Sequence, residues 1–463
     1  MLGNNNSHLF STFSGVSNVT QVVYSLEYTI DTRLRLVNVS GTHVLDATNV
    51  EYTLVVGDTA INTTSGYPLK LLGPAHYVVD WGDSTSTTVT DTAKQTHTYS
   101  APGVYSITVT GEISTFHPGG VQRIILYGVN WGDSMVTSFQ SVPIYPGQTH
   151  LVGLFANQIN IVLTAAQGQA ITDLDVSGIQ SMSNLFSTNP KIFDYVDVTG
   201  WDVGAVTNFW ATFQGLYPIP PSLNTFNNAL ESYPTNLNDV SKYSDFNQNI
   251  SGWDVSSGVY FRRMFGWNKD FNQDISSWNM SNAVALMEMF SNCPKFNQDI
   301  SSWDVSNVTT FNSMFRGPTG KTSDATTSVG IIGISLFNQD ISSWDTSSCT
   351  DFTSMFSLAH SFDQDIGAWD LSSATTMYGM FSIISTADTP PGMSQTNFEN
   401  TLIGWANNVN TADNVYAAAF CHQAFHGNSQ TGAVLNLANP STAYTAYLDL
   451  LAKGWTLSGI EIV

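Results

Sequence analysis

The residues of this chain that could do chemistry recur at a fixed spacing instead of converging on one point. Asp254, Asp304, Asp345 and Asp370 occupy a single position of a repeated W-[DN]-x-S element, and Asn279 takes that position in one copy. Two carboxyls in unlike surroundings can hydrolyse a glycosidic bond. A row gives every carboxyl the same surroundings, so the pattern predicts a solvated acidic face and no catalysis. Its one possible chemistry is cation binding, Ca2+ above all, at Asp254, Asp304, Asp345 and Asp370, opposed by repulsion between like charges one strand apart. Those four and Asn279 are the candidate binding face. Asp80 and Asp83 flank Trp81-Gly82 and read as turn residues. His422 and His426 stand four apart but lack the H-E-x-x-H context of a zinc site. Cys293, Cys349 and Cys421 are too few for a disulfide framework, lack metal-ligand spacing, and read as small buried apolar residues.

The elements that position these residues are internal repeats. FNQNISGWDVSSGVYFRRMF starts at Phe246, and close copies start at Phe271, Phe296, Phe337 and Phe362. The steps are 25, 25, 41 and 25 residues, the long one containing a 16-residue insertion. Weaker copies begin at Leu174 and Trp201, making about seven turns over 170–385, with insertions near 214–245 and 316–336. In the copy at Phe296, Ile300-x-x-Trp303-x-Val305 has the L-x-x-L-x-L spacing of a leucine-rich repeat. That spacing predicts a short strand around Trp303–Val305, with both side chains inward and Asp304 outward. Ser306 or Asn307 then caps a short helix whose apolar face is Val308, Phe311, Met314 and Phe315. One such unit cannot bury its own apolar face, so the copies must stack as an α/β solenoid. A tryptophan row (Trp253, Trp278, Trp303, Trp344, Trp369) belongs inside it. Sequons at Asn249, Asn279 and Asn307 fall out of the repeat and carry little information.

The flanks read differently. Residues 1–20 form a polar arm, and 21–125 show short alternating runs such as Leu34–Val39, Tyr52–Val56 and Tyr105–Val109, the pattern of an all-β sandwich. Residues 126–169 connect and cap. The tail, 386–463, has helix-like stretches at Thr396–Ala406 and Thr442–Lys453 and a last strand in TLSGIEIV, as a C-terminal cap requires.

The FNQDISSWDVSNVTTFNSMF repeat resembles the BspA-type leucine-rich repeat, also described as the Mycoplasma-type lipoprotein repeat, over 170–385. NFENTLIGWANN and the final GWTLSG resemble the closing module of those proteins. DWGDS, HTY and GVYSITVTG resemble a PKD domain, an Ig-like sandwich, while LYGVNWGDSMVTSF (126–139) resembles the segment leading from such a sandwich into the repeats. That segment lacks a following HTY and G-x-Y, so it does not read as a second PKD domain. The resemblance implies surface display and adhesion, with protein or glycan contact and without an enzymatic reaction.

Composition narrows the partners. The 463 residues carry 14 Lys and Arg against 36 Asp and Glu, a net charge of −22, and the closest basic pair is Arg262–Arg263. Nucleic acid and anionic membranes need clustered basic residues, which excludes both. No apolar run reaches the length of a membrane helix, about 20 residues. MLGNNNSHLFSTFSGVSN has neither a basic n-region nor an apolar h-region, so it does not read as a secretory signal. Bacterial proteins with such repeats usually carry a signal or anchor. Virion proteins are assembled inside the host cell without one. The expectation is therefore a virion capsid decoration, spike or tail component that binds a host surface glycan or protein receptor. It would sit among other virion or surface structural proteins, and the arm could support a homo-oligomer. A bacterial cell-surface adhesin is the alternative, and an accessory module of a carbohydrate-active enzyme the third reading.

Overall fold

In the computed structural model, the described residues are 23–31, 36–39, 42–45, 51–55, 77–89, 94–112, 136–141, 150–151, 154–156, 161–189, 191–215, 244–318, 335–382, 392–417, 435–437, 441–457 and 460–462. The arm at 1–20, the second WGDS, most of both insertions, and Cys421, His422 and His426 lie outside them. Two compact units are present: the described residues up to 179 with 191–197, and the remainder.

The first unit is built on antiparallel strands. β1 (Val23–Asp31), β5 (Tyr77–Asp80), β6 (Ser86–Val89), β8 (Val104–Glu112) and β9 (Val136–Ser141) form one sheet in the order β6-β5-β8-β1-β9. Two separate antiparallel pairs accompany it: β2 (Leu36–Val39) with β3 (Thr42–Leu45), a hairpin, and β4 (Glu51–Val55) with the sequence-distant β7 (Lys94–Thr98). β1 and β8 pair along their full length, from Val23 opposite Glu112 to Asp31 opposite Val104. Tyr28, Ile30, Val79, Ile107 and Val109 alternate with outward-facing neighbours, polar except for Val78, and are fully buried, as period two demands of a sheet with one dry face. Trp81 follows β5 directly and stacks on His97 at 4.9 Å. Tyr99 meets His97 edge-on, stacks on Tyr105, and donates to the Trp81 carbonyl. Asp83 accepts from Thr85 and meets His97 at 2.7 Å, so the WGDS turn is tied to β7. Helix α1 (Ala165–Thr172) starts with a capping box between Thr164 and Gln167. Gly168 is required there, because a Cβ would lie 2.3 Å from the Tyr195 carbonyl oxygen.

In the second unit, successive copies lie in parallel register. Single bridges run Ser181–Asn208–Tyr260–Ala285–Thr310–Asp351–Thr376–Tyr416, one residue per copy. The expected helix does not form, and neither does a strand at Trp303–Val305. Residues 311–317 are instead a ribbon of turns. The N–H groups of Phe311, Ser313, Phe315 and Gly317 donate to carbonyls of the next copy, while Met314 and Arg316 donate three residues back. The alternation is possible because residues of each copy adopt φ near +55°: Asn184, Ala211, Arg263, Glu288, Ser313 and Ser354, with Gly379 in the last, and, four positions further on in four of the copies, Thr188, Trp267, Asn292 and Leu358. A helix would keep these N–H groups within the segment, and a single turn of helix is costly to nucleate. The ribbon buries Val308, Phe311, Met314 and Phe315 equally well and bonds to its neighbour besides.

Aromatic stacks fill the interior. The Phe265–Phe271, Phe290–Phe296, Phe315–Phe337 and Phe356–Phe362 pairs stack at 3.7–3.8 Å within each step. Phe290 lies 5.8 Å from Phe315, as does Phe315 from Phe356, carrying the stack between copies. Trp253, Trp278, Trp303, Trp344 and Trp369 are all buried. Each indole N–H donates to an earlier copy, as in Trp303 to Ile275 O and Trp344 to Ile300 O.

The tail continues the same contacts. Helix α2 (Gln395–Asn407) places Trp405 so that its indole donates to Ile366 O. Helix α3 (Thr442–Ala452) follows β10 (Leu435–Leu437), which pairs in parallel with β11 (Ile460–Ile462). The last strong copy reads I-G-A-W where the three before it read I-S-S-W. A Cβ at Gly404 of α2 would lie 2.4 Å from the Gly367 carbonyl oxygen, and one at Gly367 would lie 2.8 Å from Asn400 O. The departure from the repeat thus marks where the helix docks.

Candidate functional site

The candidate row is one side chain per copy. Asp254, Asn279, Asp304 and Asp345 are exposed and Asp370 is half-buried. Each closes its own turn. The Oδ1 of Asp304 accepts from the Ser306 backbone N–H at 3.1 Å and from its hydroxyl at 2.7 Å. Asp254, Asn279, Asp345 and Asp370 accept the matching N–H of Ser256, Ser281, Ser347 and Ser372. These are Asx turns, and Asn279 shows that an amide oxygen serves as well as a carboxylate. Bonds from the Ser256 and Ser306 side chains, then their backbone N–H groups, hold Asp254 and Asp304 below the ordinary aspartate range.

A second row went unrecognised in the sequence. Asp274, Asp299, Asp340 and Asp365, with Asn249 ahead of them, close equivalent turns two residues before Ser276, Ser301, Ser342, Gly367 and Ser251. Serine bonds again hold Asp274 and Asp299 low, while the charge of Asp274 pushes Asp299 back upward. The signal was present in the recurrence of [ND]-Q-[ND] after phenylalanine in all five strong copies, polar residues that no apolar packing demands.

The Asn and Gln of that motif join copy to copy. Asn297 N–H donates to Asn272 Oδ1 at 2.9 Å, and Asn338 N–H to Asn297 Oδ1 at 2.9 Å. Gln298 and Gln339 reach the same asparagines through Nε2. Asp363 stands where the next Asn would be, and its Oδ1 accepts from Ser394 and Asn397 of the tail. The polar row therefore ends on α2.

Among the described residues, no cluster of three or more His, Cys, Asp or Glu side chains is placed to hold a metal ion. One oxygen of each row carboxylate is committed to its own turn, so a cation would draw on the other oxygen of separate copies. Cys293 and Cys349 are buried free thiols, and burial pushes the Cys349 thiol up to about 12, which favours the protonated, less reactive form. No described helix is long and apolar enough to cross a membrane.

Tandem copies held by shared polar and aromatic rows define a repeat protein. A family model described as "Mycoplasma protein of unknown function, DUF285" matches residues 149–237, 235–328 and 331–419, and the chain belongs to that family. No curated protein and no solved structure matches the chain.

Proposed function

We propose that this chain is a non-enzymatic surface recognition protein. It combines an Ig-like sandwich of the PKD type with a BspA-type leucine-rich-repeat solenoid and a C-terminal cap. The carrying observation is how the copies use their recurrent side chains. The recurring Asp, Asn, Gln and Trp residues are engaged in turns or in bonds between copies, which leaves recognition to the outward residues that differ. The Trp81–His97–Tyr99 cluster on the WGDS turn supports the PKD reading of the first unit. Display on a virion, as a decoration, spike or tail component, is the first setting proposed. Display on a bacterial cell envelope is the second. Ca2+ held weakly by the Asp row is a subsidiary proposal, refuted by calorimetry showing no heat on titration.

The test is direct. Fluorescently labelled full chain should bind intact host cells saturably, and antibodies to it should decorate purified particles in electron micrographs. Label on the cell envelope and none on particles selects the bacterial setting. Absence of saturable binding to any cell surface, or turnover of a glycoside that Asp304→Asn and Asp345→Asn abolish, would overturn recognition as the role.

A further inference from the structure

The three exposed aromatic side chains among the described residues, Tyr260, Tyr378 and Tyr416, all lie on one face of the repeats. It is the face of the bridge residues and of the residues two further on. Contacts between copies interleave these two columns: Tyr378 stacks on Tyr416 at 5.9 Å and 5°, Thr353 meets Thr376 at 3.2 Å, and Asn312 donates to Asp351 at 3.1 Å. At the other end, Arg262 lies over the Trp210 ring at 5.6 Å, beside Tyr260. Along the stretch from F-N-Q-D to W-D-V-S the copies largely repeat their residues, because packing or a turn demands them. Here the bridge positions read Asn, Tyr, Ala, Thr, Asp, Thr, Tyr in successive copies, so packing does not dictate them.

Resting on the recognition role proposed above, we infer that this face binds an extended neutral glycan chain. Tyr378 and Tyr416 would stack on its sugar rings at one end, and Tyr260 at the other. Tyr260 and Tyr416 are five bridge steps apart, on the order of 24 Å at strand spacing. Aromatic rings at both ends of a polar floor suit a linear chain, whereas protein interfaces gather their aromatic anchors near the centre. The floor offers the Thr353, Thr376 and Asn312 groups, already oriented by their bonds to each other and to Asp351. Charge selects a neutral occupant. Of the charged groups on this face, Arg262 lies 3.8 Å from Glu288 and Asp351 is engaged by the Asn312 side chain and the Thr353 N–H, and a chain of net charge −22 disfavours polyanions. The flat C–H faces of pyranose rings pack against the π-faces of such side chains.

The experiment titrates the full chain, on an array and by calorimetry, with neutral, sialylated and sulfated oligosaccharides of increasing length. It repeats the array and the host-cell assay with Tyr378→Ala, Tyr416→Ala, Tyr378→Phe and a control Asp304→Asn/Asp345→Asn variant. Unchanged melting temperatures establish that these exposed substitutions leave the fold intact. The inference expects binding of neutral chains that tightens with length. It expects a loss of about tenfold or more for each Ala variant, near-full retention by Tyr378→Phe, and no effect of the Asp control. Periodate treatment of host cells should abolish binding and protease treatment should spare it. Binding only to anionic glycans, loss confined to the Asp control, or Ala variants that bind as the parent does would each overturn the glycan face. Host-cell binding that survives periodate but not protease would overturn it while leaving surface recognition standing, and absence of all cell binding would remove both.

Discussion

At the scale of the residue, the aspartate rows are turn formers. Asp304→Asn should leave the melting temperature within about 1 °C, because Asn279 already fills the same turn with an amide. Asp304→Ala should cost about 0.5–1 kcal/mol, the usual loss for one partly exposed hydrogen bond, measured by urea unfolding. The rows also set the acid limit. Hydrogen bonds hold Asp254, Asp274, Asp299, Asp304 and Asp340 below their ordinary value. A carboxyl lowered on folding contributes stability that is complete above its unfolded pKa and is lost as pH falls through the folded one. Stability from these groups should be flat above about pH 5 and decline below about pH 4. Replacing the five by Asn should flatten that decline, read by thermal unfolding across pH. Unchanged acid sensitivity in the quintuple variant would assign it to other carboxyls.

At the scale of the element, the turn ribbon is the feature that differs from expectation. It places non-glycine residues in the left-handed region, one or two in most copies, each costing an L-residue roughly 1 kcal/mol. Ser313→Gly and Ala211→Gly should each stabilise the chain by up to about 1 kcal/mol, partly offset by the greater freedom of glycine when unfolded. A helix at this position would give the opposite sign, since glycine weakens helices. The tryptophan row gives a second test. Trp303→Phe preserves most of the apolar body but leaves the buried Ile275 carbonyl without its indole donor, and should cost about 1–3 kcal/mol.

At the scale of the whole molecule, the array closes on α2 through two of the rows that join its copies: Ser394 and Asn397 on Asp363, and Trp405 on Ile366. Docking depends on the glycine pair. Gly404→Ala should push the helix off Gly367, lower the melting temperature, and increase binding of a dye specific for exposed apolar surface. An unchanged melting temperature would show that α2 is dispensable to the stack.

The sequence by itself determined the repeat, its phase, its insertions and which tryptophans and phenylalanines are buried, because stacked copies must repeat their packing. It also located the tail helices within a residue or two, Gln395–Asn407 and Thr442–Ala452, from caps and apolar spacing. Backbone conformation around Phe311 was not legible. The spacing of Val308, Phe311, Met314 and Phe315 satisfies a helix and a turn ribbon alike, and the choice rests on N–H groups that bond to a neighbouring copy 40 residues away. The roles of Asp304 and Tyr378 needed the tertiary structure for the same reason. An aspartate that closes its own turn and one that faces a ligand are written identically in sequence. Only the stacking of copies shows that Tyr378 meets Tyr416 on an open face.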